Sequence, residues 1–281
     1  MKLDLKKVAA IHDISGFGRA SLTTVIPIIS AMECQVCPVP TAVLSTHTGG
    51  FGKPKIVDLT DHIEEYISHW ERLNLNFDCI YSGYLGSAYQ IDIITNFIKR
   101  FKHKDTLVVI DPVMGDDFEL YSNMGLDMVD KMRGFIKLAD VITPNFTEAC
   151  YILGKECVKP ISEISIKNML KSLSKFGPDI VIITSVPIKD NVVTTACYDK
   201  INDKFYVIHK EKLKANYPGT GDAFTSVIVG SLLKKYSIDK ALKIATDFVE
   251  EGMKVSLKYD YPYKEGILLE KTIKEFILKN K

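Results

Sequence analysis

Short β-branched runs alternate with helical patterns along most of this chain, and that alternation confines it to an α/β architecture. Strands are predicted at Val8–Asp13, Gln35–Val39, Cys79–Ser82, Thr106–Asp111, Val141–Thr143 and Ile180–Thr184. Several are apolar throughout, as strands are when helices cover both faces of a parallel sheet. Helical spacing of apolar residues marks Leu59–Leu73, Ile91–Phe101 and Ser162–Phe176, the last opening on a serine suited to cap a helix. Beyond Thr184 the pattern changes. Val192–Tyr198 and Lys204–His209 flank a polar turn and read as an antiparallel hairpin. Helical segments follow over Asp222–Lys235, Asp239–Lys258 and Glu265–Lys279. No linker, repeat or low-complexity tract divides the sequence. The expectation is one domain over residues 1–281: a mostly parallel central sheet between helical layers, with an antiparallel hairpin at its edge.

Charge narrows the partners. The 281 residues hold 36 Lys+Arg against 35 Asp+Glu, a formal net charge of +1. Nucleic-acid binding draws its affinity from clustered cations neutralising phosphates, and a balance so close to zero argues against it. An anionic ligand must therefore be held locally. No apolar run approaches the roughly 18–20 residues of a spanning helix, so no membrane partner is expected. The apolar stretch Val8–Ile11 is too short for a secretion signal, which points to the cytoplasm. The cysteines are scattered as buried, reduced thiols would be. Cys34-Gln-Val-Cys37 has the spacing of a zinc or redox pair but lacks a second pair of ligands, so it reads as packing.

Polar and glycine-rich words fall at the carboxyl ends of the predicted strands, where parallel sheets bind ligands. They are His12–Gly18, Ser45–Gly50, Ser82-Gly83-Tyr84, Asp111–Asp116, Thr143-Pro144-Asn145 and Ile183-Thr184-Ser185. Six such words on one rim imply a site. Two common nucleotide motifs fail. Gly16-Phe17-Gly18-Arg19-Ala20-Ser21 has serine where a dinucleotide fingerprint needs its third glycine, and Gly50-Phe51-Gly52-Lys53-Pro54 puts proline where a phosphate-loop helix would begin. Pro218-Gly219-Thr220-Gly221-Asp222 is sharper. Two glycines let successive N–H groups converge on an anion at a helix start, and Asp222 in the first turn is placed to take a proton from an attacking hydroxyl. The plainer reading is a helix-capping aspartate after a glycine turn.

Gly219-Thr220-Gly221-Asp222 resembles the anion-hole and base signature of the ribokinase-like superfamily of ATP-dependent small-molecule kinases. Within it, Ser45–Gly49, Ser82-Gly83-Tyr84, Asp111–Asp116, Thr143-Pro144-Asn145 with Glu148, and Ile183-Thr184-Ser185 are similar, in order, to words of the pyridoxal kinases. The resemblance implies a three-layer α/β/α fold and phosphorylation of the 5′-hydroxymethyl group of a vitamin B6 vitamer by ATP. It implies Asp222 as base and Gly219, Thr220 and Gly221 as anion hole. It assigns Thr48 and Tyr84 to the pyridine ring, and Asp111, Asp116, Asn145 and Glu148 to Mg²⁺ and the phosphates. It further assigns Thr184 to the phosphates, Leu213 and Tyr217 to the adenine, and Thr143 with Asp111 to a monovalent cation such as K⁺. A homodimer is the expected assembly. The pattern departs at the first strand end, where the family's Ser-His is replaced by His12-Asp13 and then Ser15. Either Asp13 or Ser15 is then the ring contact. Hydroxymethylpyrimidine kinases share the fold and anion hole and are the alternative in substrate; a non-catalytic vitamer or nucleotide binder is the alternative in class.

Overall fold

The computed structural model describes residues 5–279. In chain order the elements are β1 (Lys7–Ser15), α1 (Leu22–Ala31), β2 (Gln35–Leu44), β3 (Ile56–Asp58), α2 (Thr60–Arg72), β4 (Cys79–Ser82), α3 (Ala88–Phe101), β5 (Leu107–Ile110), β6 (Gly115–Asp116), β7 (Glu119–Leu120) and α4 (Leu126–Phe135). They continue as β8 (Val141–Ile142), α5 (Phe146–Leu153), α6 (Glu163–Ser174), β9 (Ile180–Val186), β10 (Val192–Asp199), β11 (Lys204–Glu211), α7 (Thr220–Leu233), α8 (Ile238–Ser256) and α9 (Leu269–Lys279). The chain forms two compact units: residues up to Cys79 together with those from Leu213 onward, and Ile80–Lys212.

In the first unit β1 runs parallel to β2, and β3 adds antiparallel to the end of β2 at Ala42–Leu44. Val8, Ala9, Ala10 and Ile11 are each 0% exposed. Successive strand residues face opposite ways, so both faces of β1 are covered. The strand predicted to stop at Val39 runs on to Leu44 through Pro38 and Pro40. Since β3 pairs only with residues 42–44, those prolines fall where β2 has an open side, and their missing N–H groups cost no ladder bond. The C-terminal helix predicted from Glu265 is two pieces: a single tight turn at Tyr263–Glu265, then α9 from Leu269. Gly266 at φ 82° breaks them. Helix α1 opens directly after the glycine word at residues 16–21 and carries Pro27 inside it, which interrupts the helical spacing.

In the second unit β5, β8 and β9 pair in parallel, and β10 pairs antiparallel with both β9 and β11. The hairpin keeps full register from Val192↔Glu211 to Asp199↔Lys204. Asp199 closes its turn by accepting from the Asn202 backbone N–H and side-chain amide. Ser162 caps α6 as its position suggested, accepting from the Ser165 N–H at 3.1 Å. The basic run at residues 99–104 ends α3, where Lys102 bonds Asp140 and the Leu138 carbonyl. This is the mostly parallel α/β fold with an antiparallel hairpin that the sequence pattern predicts.

Candidate active site

In the first unit the glycine word opens α7. Gly219 is its N-cap, in the left-handed region at φ 77°, so the helix begins at Thr220 and Asp222 sits in the third helical position. That rules out the plain capping role, which belongs to the residue before the helix. The side chain of Asp222 instead accepts from the Ser21 N–H at 2.8 Å. A β-carbon on Gly219 would lie 2.2 Å from the Arg19 carbonyl oxygen and 3.2 Å from the Ala20 Cα. The loop before α7 is thus packed against residues 19–21, and only glycine fits that approach. The first-turn N–H groups of α7 have no partner within their own helix and form the anion-seeking end.

Asp222 carries a side chain only 14% exposed. Burial pushes its carboxyl up to about 7, the nearby Asp13 charge adds to the rise, and the Ser21 N–H opposes it. A carboxyl poised there can take a proton near neutrality. The His12 Nδ1 lies 3.8 Å from Asp222 Oδ1 on the other side. Burial drives His12 down to about 3, so it stands beside the carboxyl as a neutral ring.

Asp13 and Ser15, the two candidates at the end of β1, are both buried, at 4% and 0% exposure. They are not independent: the Ser15 hydroxyl donates to Asp13 Oδ2 at 3.3 Å, and the Ser21 hydroxyl donates to Oδ1. Burial raises Asp13 against those hydrogen bonds. Thr48 is exposed on the following loop. His47 beside it fixes that loop. Its Nδ1 accepts the Gly49 N–H at 3.0 Å, which leaves the proton on Nε2 to donate to the Lys264 carbonyl at 2.7 Å. Leu213 is half-buried, and Tyr217 is 1% exposed with its ring edge-on to Tyr263, 5.4 Å between centroids.

The second unit gathers the acidic candidates. Asn145 caps α5 with a reciprocal box: its Oδ1 accepts from the Glu148 N–H at 2.9 Å, and Glu148 Oε2 accepts from the Asn145 N–H at 2.8 Å. Both side chains also reach the 111–116 loop. The Met114 N–H donates to Glu148 Oε1 at 3.0 Å, and the Asn145 amide donates to the Gly115 carbonyl at 2.7 Å. Glu148 is 3% exposed. Burial raises its carboxyl well above the usual range, and the charges of Asp111 and Asp116 push the same way. Asp111 is buried and Asp116 exposed on the same loop. Thr143 is buried, its N–H donating to the Ile110 carbonyl at 3.2 Å, and Thr184 donates its N–H to the Pro144 carbonyl at 3.0 Å. The Tyr84 hydroxyl accepts from the Asn123 amide at 2.6 Å.

Among the described residues, no three His, Cys, Asp or Glu side chains are grouped to hold a metal by themselves. Mg²⁺ asks for less, usually one or two carboxylates with phosphate and water oxygens completing its shell. The hard oxygens of Asp111 and Asp116, and the mutual repulsion that burdens Glu148, fit such an ion.

Sequence reasoning pointed to Asp222, Asp13 and Ser15 but not to Ser21, which touches two of them. Ser21 lay inside the rejected dinucleotide word, and its bond to Asp222 spans 201 positions.

The phosphomethylpyrimidine kinase family model matches residues 18–266. A candidate phosphomethylpyrimidine kinase from Bacteroides thetaiotaomicron, crystallised with pyridoxal, is 47% identical, with a TM-score of 0.94 over 97% of this chain and 96% of its own. The pyridoxal kinase from Lactobacillus plantarum is 29% identical, with a TM-score of 0.88 over 99% and 98%. A candidate thiamine biosynthetic bifunctional enzyme from Oryza sativa subsp. japonica is 27% identical over 247 residues, 84% of this chain, which spans 42% of that protein's length.

Proposed function

This chain belongs to the phosphomethylpyrimidine kinase family, and we propose that within it the chain phosphorylates the 5′-hydroxymethyl group of a vitamin B6 vitamer. It is an ATP-dependent small-molecule kinase. The observation that carries the chemistry is Asp222, buried at the head of α7 with a carboxyl raised to about 7. Pyridoxal in the Bacteroides relative supports the vitamer.

In this reading Asp222 removes the proton of the hydroxymethyl group as its oxygen attacks the γ-phosphorus in line. The N–H groups of Gly219, Thr220 and Gly221 stabilise the charge on the phosphoryl group in transit, and positioning supplies much of the acceleration. Asp13, oriented by Ser15, addresses the ring nitrogen or its neighbouring hydroxyl, with Thr48 and Tyr84 completing recognition. Asp111 and Asp116 hold Mg²⁺, which when bound neutralises phosphate charge. Asn145 and Glu148 fix the loop that carries them. Thr184 meets the phosphates, Leu213 and Tyr217 the adenine, and Thr143 with Asp111 a monovalent cation. The whole chain then serves as one kinase domain, working as a homodimer.

The second reading is hydroxymethylpyrimidine as substrate, favoured by the description of the matching family and by the thiamine-biosynthetic relative. A mass-spectrometric panel of pyridoxal, pyridoxine, pyridoxamine and hydroxymethylpyrimidine with Mg²⁺ and ATP tests both. Phosphorylated vitamers are expected; phosphorylation of the pyrimidine alone would overturn the first reading in favour of the second.

A further inference from the structure

Ser21 occupies the N-cap position of α1, yet its side chain makes no capping bond to that helix. Serine is favoured at N-caps because its hydroxyl satisfies a first-turn N–H, so a serine that forgoes this bond spends its hydroxyl elsewhere. Its backbone sits at φ 53° and ψ −135°, a left-handed setting that a residue with a β-carbon enters only under strain. Both departures have the same result. The hydroxyl turns back to Asp13 Oδ1, and the N–H points at Asp222 Oδ2, 2.8 Å away. A bridge between Ile14 and Ser21 pins the turn to β1.

We propose that Ser21 is a positioning residue that ties Asp13 to Asp222, so that ring recognition and hydroxyl deprotonation share one fixed geometry. The inference rests on the functional reading above and deepens it. One residue 7% exposed reaches both carboxylates, each by a different group, and neither bond substitutes for the other. The groups facing the pair are few: His12 at Asp222, and Ser15 and the His47 ring at Asp13. His12 is held neutral by burial, and burial also lowers His47, so among the described residues neither ring is a fixed cation beside these acids.

The two bonds act on Asp222 in opposite directions: the Ser21 N–H lowers it directly, and the hydroxyl raises it by way of Asp13. The Ser21 hydroxyl favours ionised Asp13, and ionised Asp13 in turn raises Asp222. Removing the hydroxyl makes Asp13 harder to ionise, and a neutral Asp13 relieves Asp222. Loss of the hydroxyl therefore moves Asp13 upward and Asp222 downward.

Ser21→Gly is the discriminating variant. It removes the hydroxyl, keeps the N–H to Asp222, and suits the positive φ, so it relieves the backbone strain of the turn. Ser21→Ala, which keeps the backbone cost, serves as its partner. For both, KM for pyridoxal is expected to rise about tenfold, the size of one charge-assisted hydrogen bond, with KM for ATP unchanged. The acid limb of kcat is expected to move to lower pH. A ¹³C titration of aspartate-labelled protein reads the same two carboxyls without substrate. A Ser21→Gly protein with the parent's vitamer KM, kcat profile and carboxyl titrations would overturn the proposal. The unsubstituted protein keeps the two levels separate. If it phosphorylates only hydroxymethylpyrimidine, the vitamer reading fails, and Ser21 is judged by the same KM, pH and titration criteria with that substrate.

Discussion

At the scale of single residues, the site is organised by what burial does to acids. Asp222 is the sharpest case. With its carboxyl near 7, kcat is expected to rise with pH through that value, because the base acts only when ionised. Asp222→Asn keeps the acceptor for the Ser21 N–H and removes the base. It is expected to bind ATP with near-parental affinity, measured by calorimetry, and to lose at least a thousandfold in kcat. Stability moves the other way. A folded pKa above the unfolded value of 3.8 means the fold favours the protonated acid, so the ionised group destabilises progressively from about pH 4 to pH 7 and fully above. Asp222→Asn should therefore melt about 5 °C above the parent at pH 8, with the gap closing toward pH 4, as read by calorimetry. Asp222, Asp13 and Ser15 were legible in the sequence because each sits in a polar word at an element end. Ser21 was not. Local spacing carries no sign of a hydrogen bond to a partner on the far side of the chain.

The elements show why the rest of the site holds its shape. Helix α5 is only eight residues long, too short for a periodic signal to reveal, yet its capping box does double duty. Asn145 and Glu148 close the helix and clamp Met114 and Gly115 of the acidic loop. Asn145→Ala is expected to cost about 1–2 kcal/mol in urea unfolding and to raise KM for MgATP about tenfold while leaving KM for pyridoxal near its parental value. Gly219→Ala tests the head of α7. Its new methyl would meet the Arg19 carbonyl at 2.2 Å, so transfer is expected to fall by a hundredfold or more with a lowered melting temperature. The strands were the easiest elements to read, since covered faces leave unbroken apolar runs such as Val8–Ile11. Boundaries failed where a single residue overrode the pattern: Pro40 within β2 and Gly266 before α9.

Taken as a whole, the molecule has almost no net charge, +1 over 281 residues, so long-range attraction should contribute little to capturing a nucleotide. Raising salt from about 50 to 300 mM is expected to change kcat/KM for MgATP less than about threefold, measured at constant free Mg²⁺. A tenfold fall would mean a charged surface is steering the ligand instead. What replaces steering is visible in α7, where every residue from Ala223 to Ser231 is buried. A helix so enclosed is held by its neighbours along its flank, and its partial positive end is fixed by the packing of the core. Because residues 19–21 pack against that end, a change of acceptor that reshapes the turn after β1 would be felt at the point of transfer as well. A new acceptor would therefore be reached by exchanging single side chains on a turn whose path stays fixed.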